Sequence, residues 1–255
     1  MNKILKRVLI ITGIIIIVVV LAFVGLFMKL NSEMKDFAPM ETGQVLDNIF
    51  VVKDDFSNIF IVQDSAQYII IDGGMNSIAT AEQFAQLDIN PDNVSAVFLT
   101  HTDSDHAGAL SVFKNAKVYL SKAEMPMING ERTKFVRIFG SVVLPDDYIL
   151  LEDREIVQIG NLKIEAILAP GHTTGMTAYL VDDKYLFIGD IAGLKDGKIV
   201  SIPKFFDMDT EQAVQSHEII RHIPTAEYIF TGHWGYTDDY QTAVKITLHG
   251  LANIE

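Results

Sequence analysis

The chain has 255 residues, enough for one large α/β domain or two small ones; 49% of them are hydrophobic, and the formal net charge is −13. A surface that acidic repels phosphate backbones and argues against a nucleic-acid partner. There is no cysteine, which excludes disulfides, thiolate metal sites, a cysteine nucleophile and a lipidated N-terminal cysteine.

Val8 to Met28 is an almost unbroken run of aliphatic and aromatic side chains, interrupted by Thr12, Gly13 and Gly25. About 20 such residues in a helix span the hydrocarbon core of a bilayer and satisfy their own backbone hydrogen bonds there. A buried core helix and a cleaved signal peptide are the rivals. The run is long for either, and Phe27-Met28-Lys29-Leu30-Asn31 offers no small-x-small cleavage site. Lys3, Lys6 and Arg7 precede the run, so the positive-inside bias puts the N-terminus in the cytoplasm and the folded part outside. The expected organisation is a single-pass protein of the cell membrane. Residues 1–30 form a cytoplasmic stub and transmembrane helix, 31–45 a stalk, and 46–255 one extracytoplasmic domain.

The folded part opens with short β-branched runs, Asn48–Val52, Asn58–Val62 and Tyr68–Ile71, bounded by turn residues; they predict a meander. Ser77 is a candidate cap for a helix to about Leu87, with Ile78, Ala81, Phe84 and Ala85 on one face. Val94–Thr100 predicts a buried strand, Ala107–Phe113 a helix and Lys117–Leu120 the next strand. Residues 121–148, with Met125, Met127, Phe135 and Phe139, read as a lid, a substrate-facing insertion or a plain surface helix. Strands resume at Glu155–Ile159, Leu162–Leu168, Thr177–Val181 and Tyr185–Ile188, with Asp182-Asp183 turning between the last two. Asp209–Ile223 predicts an amphipathic helix, Glu227–Thr231 a strand and Asp238–Leu248 a final helix. Two packed sheets with helices on their outer faces accommodate this order; hairpin-spaced strands argue against a doubly wound parallel sheet.

His101, Asp103, Asp105 and His106 fall within six residues, directly after an apolar strand. Imidazole and carboxylate groups at that spacing are ligands for zinc, iron or manganese, although aspartates there also suit helix caps. His172 in Pro170-Gly171-His172, Asp190 in Gly189-Asp190 and His233 in Gly232-His233 each follow another apolar strand and have a glycine beside them. Four strand-end clusters of His and Asp point to one metal centre. His217 and His222 lie on a surface-type helix and read as solvated. His249 and Tyr236 are remote candidates for proton donation, Tyr236 more simply for core or rim packing.

With these motifs the chain resembles the metallo-β-lactamase superfamily, which includes hydroxyacylglutathione hydrolases, lactonases and ribonuclease Z-like enzymes. The family's first motif is usually His-x-His-x-Asp-His. The resemblance implies an αββα sandwich holding two divalent ions. His101, Asp103 and His172 would hold one ion; Asp105, His106 and His233 the other; Asp190 would bridge them, and Asp72 would play a structural part. Asp103 stands where the family usually has His. The extra carboxylate favours a harder ion, so iron or manganese rival zinc, which remains the first choice.

The implied activity is hydrolysis of a small-molecule ester, thioester, lactone or related bond by a metal-activated hydroxide, with Asp105 and Asp190 as the catalytic carboxylates. An iron-dependent oxidoreductase resembling the sulfur dioxygenases, built on His101, His172 and Asp190, is the second reading. A non-catalytic, membrane-tethered binding domain is the third.

Overall fold

The computed structural model describes residues 2–35, 37–134 and 142–245, in two units that divide between Phe37 and Ala38. The first unit is one helix, α1 (Lys3–Met34), capped by Asn2, whose side chain accepts from the Ile4 amide at 3.2 Å. Lys3–Lys29 is long and apolar enough to cross a membrane. A membrane span and a signal sequence both satisfy that criterion.

The second unit contains two large sheets. The first has β1 (Gly43–Leu46), β2 (Ile49–Asp54), β3 (Ser57–Asp64), β4 (Gln67–Ile71), β5 (Val94–Phe98), β6 (Lys117–Ser121) and β7 (Ile149–Leu151) in spatial order. β1 to β4 form an antiparallel meander, and β4 to β7 run parallel. The helix α2 (Ser77–Gln86) makes the crossover between β4 and β5.

The second sheet is built from β8 (Ile156–Ile159), β9 (Leu162–Leu168), β10 (Thr177–Val181) and β11 (Tyr185–Phe187). A small hairpin, β12 (Gly193–Lys195) with β13 (Lys198–Val200), then precedes β14 (Tyr228–Phe230) and β15 (Tyr236–Thr237). Its spatial order is β15-β14-β11-β10-β9-β8, antiparallel except for the β11–β14 pair. Asp182 and Asp183 turn between β10 and β11 with φ of 52° and 55°, the left-handed pair that a tight hairpin favours.

Period-two alternation sorts the side chains into layers. Phe60, Val62, Ile69, Ile71, Phe98, Tyr179, Phe187 and Phe230 meet between the sheets. Their neighbours Ile59, Ile61, Ile70 and Val97 face outward onto Phe84 of α2 and onto Leu110 and Phe113. Ala178, Leu180, Leu186 and Ile229 face outward from the second sheet onto Ile220 and Ile223, at the end of α5 (Thr210–Arg221). The architecture is the αββα sandwich. Each buried large aliphatic or aromatic side chain in these layers contributes roughly 1.5–3 kcal/mol.

Several local expectations fail. The cap of α2 is Asn76, which accepts from the Ile78 and Ala79 amides at 3.1 and 3.2 Å. Its buried residues are Thr80 and Phe84, and Ile78 is 74% exposed. Asp54 draws that face inward: its carboxylate accepts from Thr80 Oγ1 at 3.2 Å and from the Asn76 amide at 2.9 Å, so a polar residue takes the inner position. In place of a helix over 107–113 there is a short helix, α3 (Ser104–Ala107), and a 3-10 turn at Leu110–Val112. His217 is buried, with Nε2 donating to the Ile191 carbonyl at 2.9 Å; burial and nearby Arg221 push its pKa down. His222 is exposed as expected. The segment 121–148 contains a helix, α4 (Met125–Ile128), but its residues Phe135 and Phe139 lie outside the described residues, as does His249. Of the final predicted helix, α6 (Tyr240–Ala243) is described.

Candidate metal centre

Four loops carry the polar side chains to one edge of the sandwich, each from the C-terminal end of a strand: β5, β9, β11 and β14. The loop after β5 supplies His101, Asp103, Asp105 and His106; the others supply His172, Asp190 and His233. Close packing requires glycine next to two of them. A Cβ on Gly171, which has φ 138°, would collide with the Ala213 backbone in α5, and one on Gly232 would collide with Asp190 Oδ1.

All seven predicted residues come together. His101, His172 and Asp190 form one group whose ligand atoms lie within 4.8 Å of one another; Asp105, His106 and His233 form a second. Asp103 joins the first, its Oδ2 3.4 Å from His101 Nε2 and 3.3 Å from His172 Nε2. Asp190 sits between the groups: its Oδ2 lies 3.4 Å from His172 Nε2 and 3.1 Å from His233 Nε2, and its Oδ1 3.5 Å from His106 Nε2. Asp105 Oδ2 is 3.5 Å from both His106 Nε2 and His233 Nε2, which are 3.4 Å apart.

These spacings suit a metal. Donors at 2.0–2.2 Å in tetrahedral array lie about 3.4 Å from each other. The tautomers agree with that reading. His106 Nδ1 donates to Asp72 Oδ2 at 2.8 Å, and His233 Nδ1 to the Phe56 carbonyl at 2.6 Å. Thr100 gives its hydroxyl proton to Asp72, so its oxygen accepts from His101 Nδ1 at 3.0 Å. His172 Nδ1 faces Asp207 at 3.5 Å. His106, His233 and His101 thus turn Nε2, as a lone pair, toward the centre. His101 Nε2 and Asp190 Oδ1 are buried with no hydrogen-bond partner among the described residues. Such orphans are costly unless a cation meets them.

The local field is strongly negative. Burial alone would lower the pKa of His106, but Asp190, Asp72 and Asp105 raise it well above its ordinary value. His233 is raised likewise, with burial opposed by Asp190. Burial would raise Asp190, yet His233 and His106 hold it well below the usual carboxylate range. Asp103 is also held low: burial opposes it, and Lys134 and His101 prevail. His101 is pushed down by burial and by His106. Buried carboxylates and imidazoles that stabilise one another's charge mark a place built for positive charge.

Further residues support the centre, and those after Asp72 were not read from the sequence. Asp72 has φ 64° and accepts from the Thr100 amide at 2.8 Å as well as from His106, so a strained backbone is held by its own carboxylate. Glu124 is fully buried. It accepts from the Thr102 amide (3.0 Å) and hydroxyl (2.8 Å), the Thr173 hydroxyl (2.9 Å) and the Gly175 amide (2.8 Å). It therefore ties the His101–Asp103 loop to the His172 loop. Ser216 of α5 latches the latter by donating to the Pro170 carbonyl at 2.6 Å. Lys134 reaches in against Asp103 and lies 2.7 Å from His172 Nε2. Tyr236 is half-buried and stacks on Phe230 with centroids 5.4 Å apart, a packing role.

A probable metallo-hydrolase of Methanocaldococcus jannaschii is 29% identical over 151 residues, 59% of this chain and 62% of that protein. A hydroxyacylglutathione hydrolase of Dictyostelium discoideum is 27% identical over 198 residues, 72% of this chain and 64% of that protein. Both matches thus span a little under two thirds of the relative's length. The crystal structure of a metallo-beta-lactamase family protein from Thermus thermophilus superposes with a TM-score of 0.61 at 18% identity, covering 78% of this chain and 77% of that one. It shares the fold. The model of the metallo-beta-lactamase superfamily matches residues 52–233, from β2 to the last histidine of the centre, and the chain belongs to that superfamily.

Proposed function

We propose that the chain is a metal-dependent hydrolase acting on an ester, thioester or lactone of a small molecule, with its catalytic domain held at a membrane by residues 8–28. The single observation that carries this reading is the set of 3.1–3.5 Å spacings among donor atoms from four separate loops. His101, Asp103, His172 and Asp190 would hold one divalent ion, and Asp105, His106, His233 and Asp190 the other. Such ions would supply an activated water and electrostatic stabilisation of the charge that develops on the substrate's carbonyl oxygen.

The chain's own residues supply orientation. Asp190, shared by both groups, fixes their separation. Asp105, 12% exposed, is placed to accept a proton from an attacking water. Asp72, Thr100 and the Phe56 carbonyl keep three imidazoles in the tautomer that leaves Nε2 free. The hydroxyacylglutathione hydrolase among the relatives supports an acyl substrate. The acidic surface supports a small molecule over a nucleic acid. Zinc is the first choice of ion, with iron or manganese as alternatives because Asp103 adds a hard carboxylate oxygen.

The test is hydrolysis of a panel of simple lactones, thioesters and esters by the metal-loaded full chain and by Asp190→Ala. Turnover by the wild type and its loss by at least about 100-fold in the variant, a barrier change of about 2.7 kcal/mol, support the reading. A metal-loaded chain that turns over none of the panel refutes it.

A further inference from the structure

The two groups of donors differ in one respect: a cation of the protein's own already sits in one of them. The Lys134 side chain is 15% exposed, and its Nζ lies against Asp103 and 2.7 Å from His172 Nε2. An ammonium has no acceptor capacity, so it donates to both atoms. The lone pairs it occupies are the ones a divalent ion bound by His101, Asp103 and His172 would need. An ammonium donating to His172 Nε2 requires the tautomer with its proton on Nδ1, which lies 3.5 Å from Asp207. Among the described residues no lysine or arginine pairs with Asp105 or His106. Two imidazole nitrogens there, on His106 and His233, face each other at 3.4 Å with Asp105 and Asp190 around them.

Resting on the metal-hydrolase reading above, we propose that Lys134 serves as an internal counter-cation that makes the two metal positions unequal. The group of Asp105, His106, His233 and Asp190 loads first. The group of His101, Asp103 and His172 accepts an ion only when Lys134 leaves it. Lysine suits this role because its charge rides on a flexible four-carbon stem and can retreat without backbone movement. Once displaced, the ammonium stays tethered near the metal edge, where it is available to the anionic part of a substrate. The chain would then work with one or two ions according to supply, and the Asp103–Lys134 pair would set the threshold.

The experiment uses the full chain in detergent, stripped by chelation and dialysed against rising Zn²⁺, with bound zinc measured per chain. The expected result is two steps, the second requiring at least about tenfold more zinc, since a group contacting a metal ligand shifts affinity by about 10- to 100-fold. Lys134→Met keeps the stem without the charge and is expected to bring the second step to within about threefold of the first. A wild-type measurement does not depend on that variant folding: acetylation of Lys134, mapped by mass spectrometry, is expected to stay low with no or one zinc and to rise with the second. The proposal is overturned by two ions loading together in the wild type. It is equally overturned by a gap that Lys134→Met leaves unchanged, or by labelling that ignores the second ion. A folded chain that takes up no zinc at all overturns the metal-hydrolase reading itself.

Discussion

Glu124 is the residue whose replacement tests the architecture of the centre most sharply, because it touches no donor atom yet holds two donor-bearing loops. Its carboxylate is fully buried and accepts four hydrogen bonds, two on each oxygen. In Glu124→Gln one oxygen becomes an NH₂ group facing either the Thr102 or the Gly175 amide. The threonine hydroxyl on that side can rotate to accept, but a backbone N–H cannot. One buried donor is left unpaired, at about 1–3 kcal/mol. Glu124→Ala strands both amides, and two unpaired buried donors together cost about 2–6 kcal/mol. For a chain of this size 1 kcal/mol moves the melting temperature by about 2–4 °C. Gln is therefore expected to lower it by about 2–12 °C and Ala by about 4–24 °C. Metal affinity should fall by about 10- to 100-fold as the His101–Asp103 and His172 loops separate. Circular dichroism melts and zinc titrations of the full chain read both. An alanine variant that melts within about 1 °C of wild type and binds zinc equally well refutes the reasoning.

Three further outcomes follow from the same contacts. Gly232→Ala pushes a methyl group into Asp190 Oδ1 and to 2.9 Å from His106 Cε1; zinc affinity should drop by roughly tenfold or more while the fold persists, and unchanged affinity contradicts the packing described. Asp64 accepts from the Asn161 amide at 2.8 Å and side chain at 3.0 Å, which hold its pKa below the ordinary value. A lowered folded-state pKa stabilises above the unfolded pKa of about 3.9 and is lost as pH falls through the folded value. The melting difference between wild type and Asp64→Asn should therefore be full at neutral pH and close below about pH 4, and a pH-independent difference counts against it. If residues 8–28 anchor the protein, the chain should stay in the membrane pellet through an alkaline carbonate wash and leave it in detergent; release by carbonate alone argues against an anchor.

The layers and the donor set were legible in the sequence for different reasons. Ile69-Ile70-Ile71 gives no periodicity of its own, yet its place before Asp72-Gly73-Gly74 marks a buried strand, and the structure divides its residues between two core layers. His101, His172, Asp190 and His233 stood out because each follows an apolar run and, in three cases, a glycine. Glu124, Lys134 and Asp207 carry no such mark. They act through space, from segments without periodicity, and nothing local distinguishes them from solvated charges. The amphipathic pattern of α5 is legible, but its buried stripe includes Ser216 and His217. Both are inside because the chain offers them the carbonyls of Pro170 and Ile191, which sequence spacing does not reveal. On α2 the apolar pattern finds Phe84 but not Thr80, for a similar reason: Asp54 satisfies Thr80 from another element.

The most direct check is a crystal of the full chain grown with zinc, with anomalous scattering recorded on both sides of the zinc edge. The account predicts an anomalous peak coordinated by Asp105, His106, His233 and Asp190, absent from Asp190→Ala crystals of otherwise unchanged fold. An ordered set of these side chains with no anomalous density among them, at zinc concentrations that saturate ordinary zinc enzymes, would contradict it.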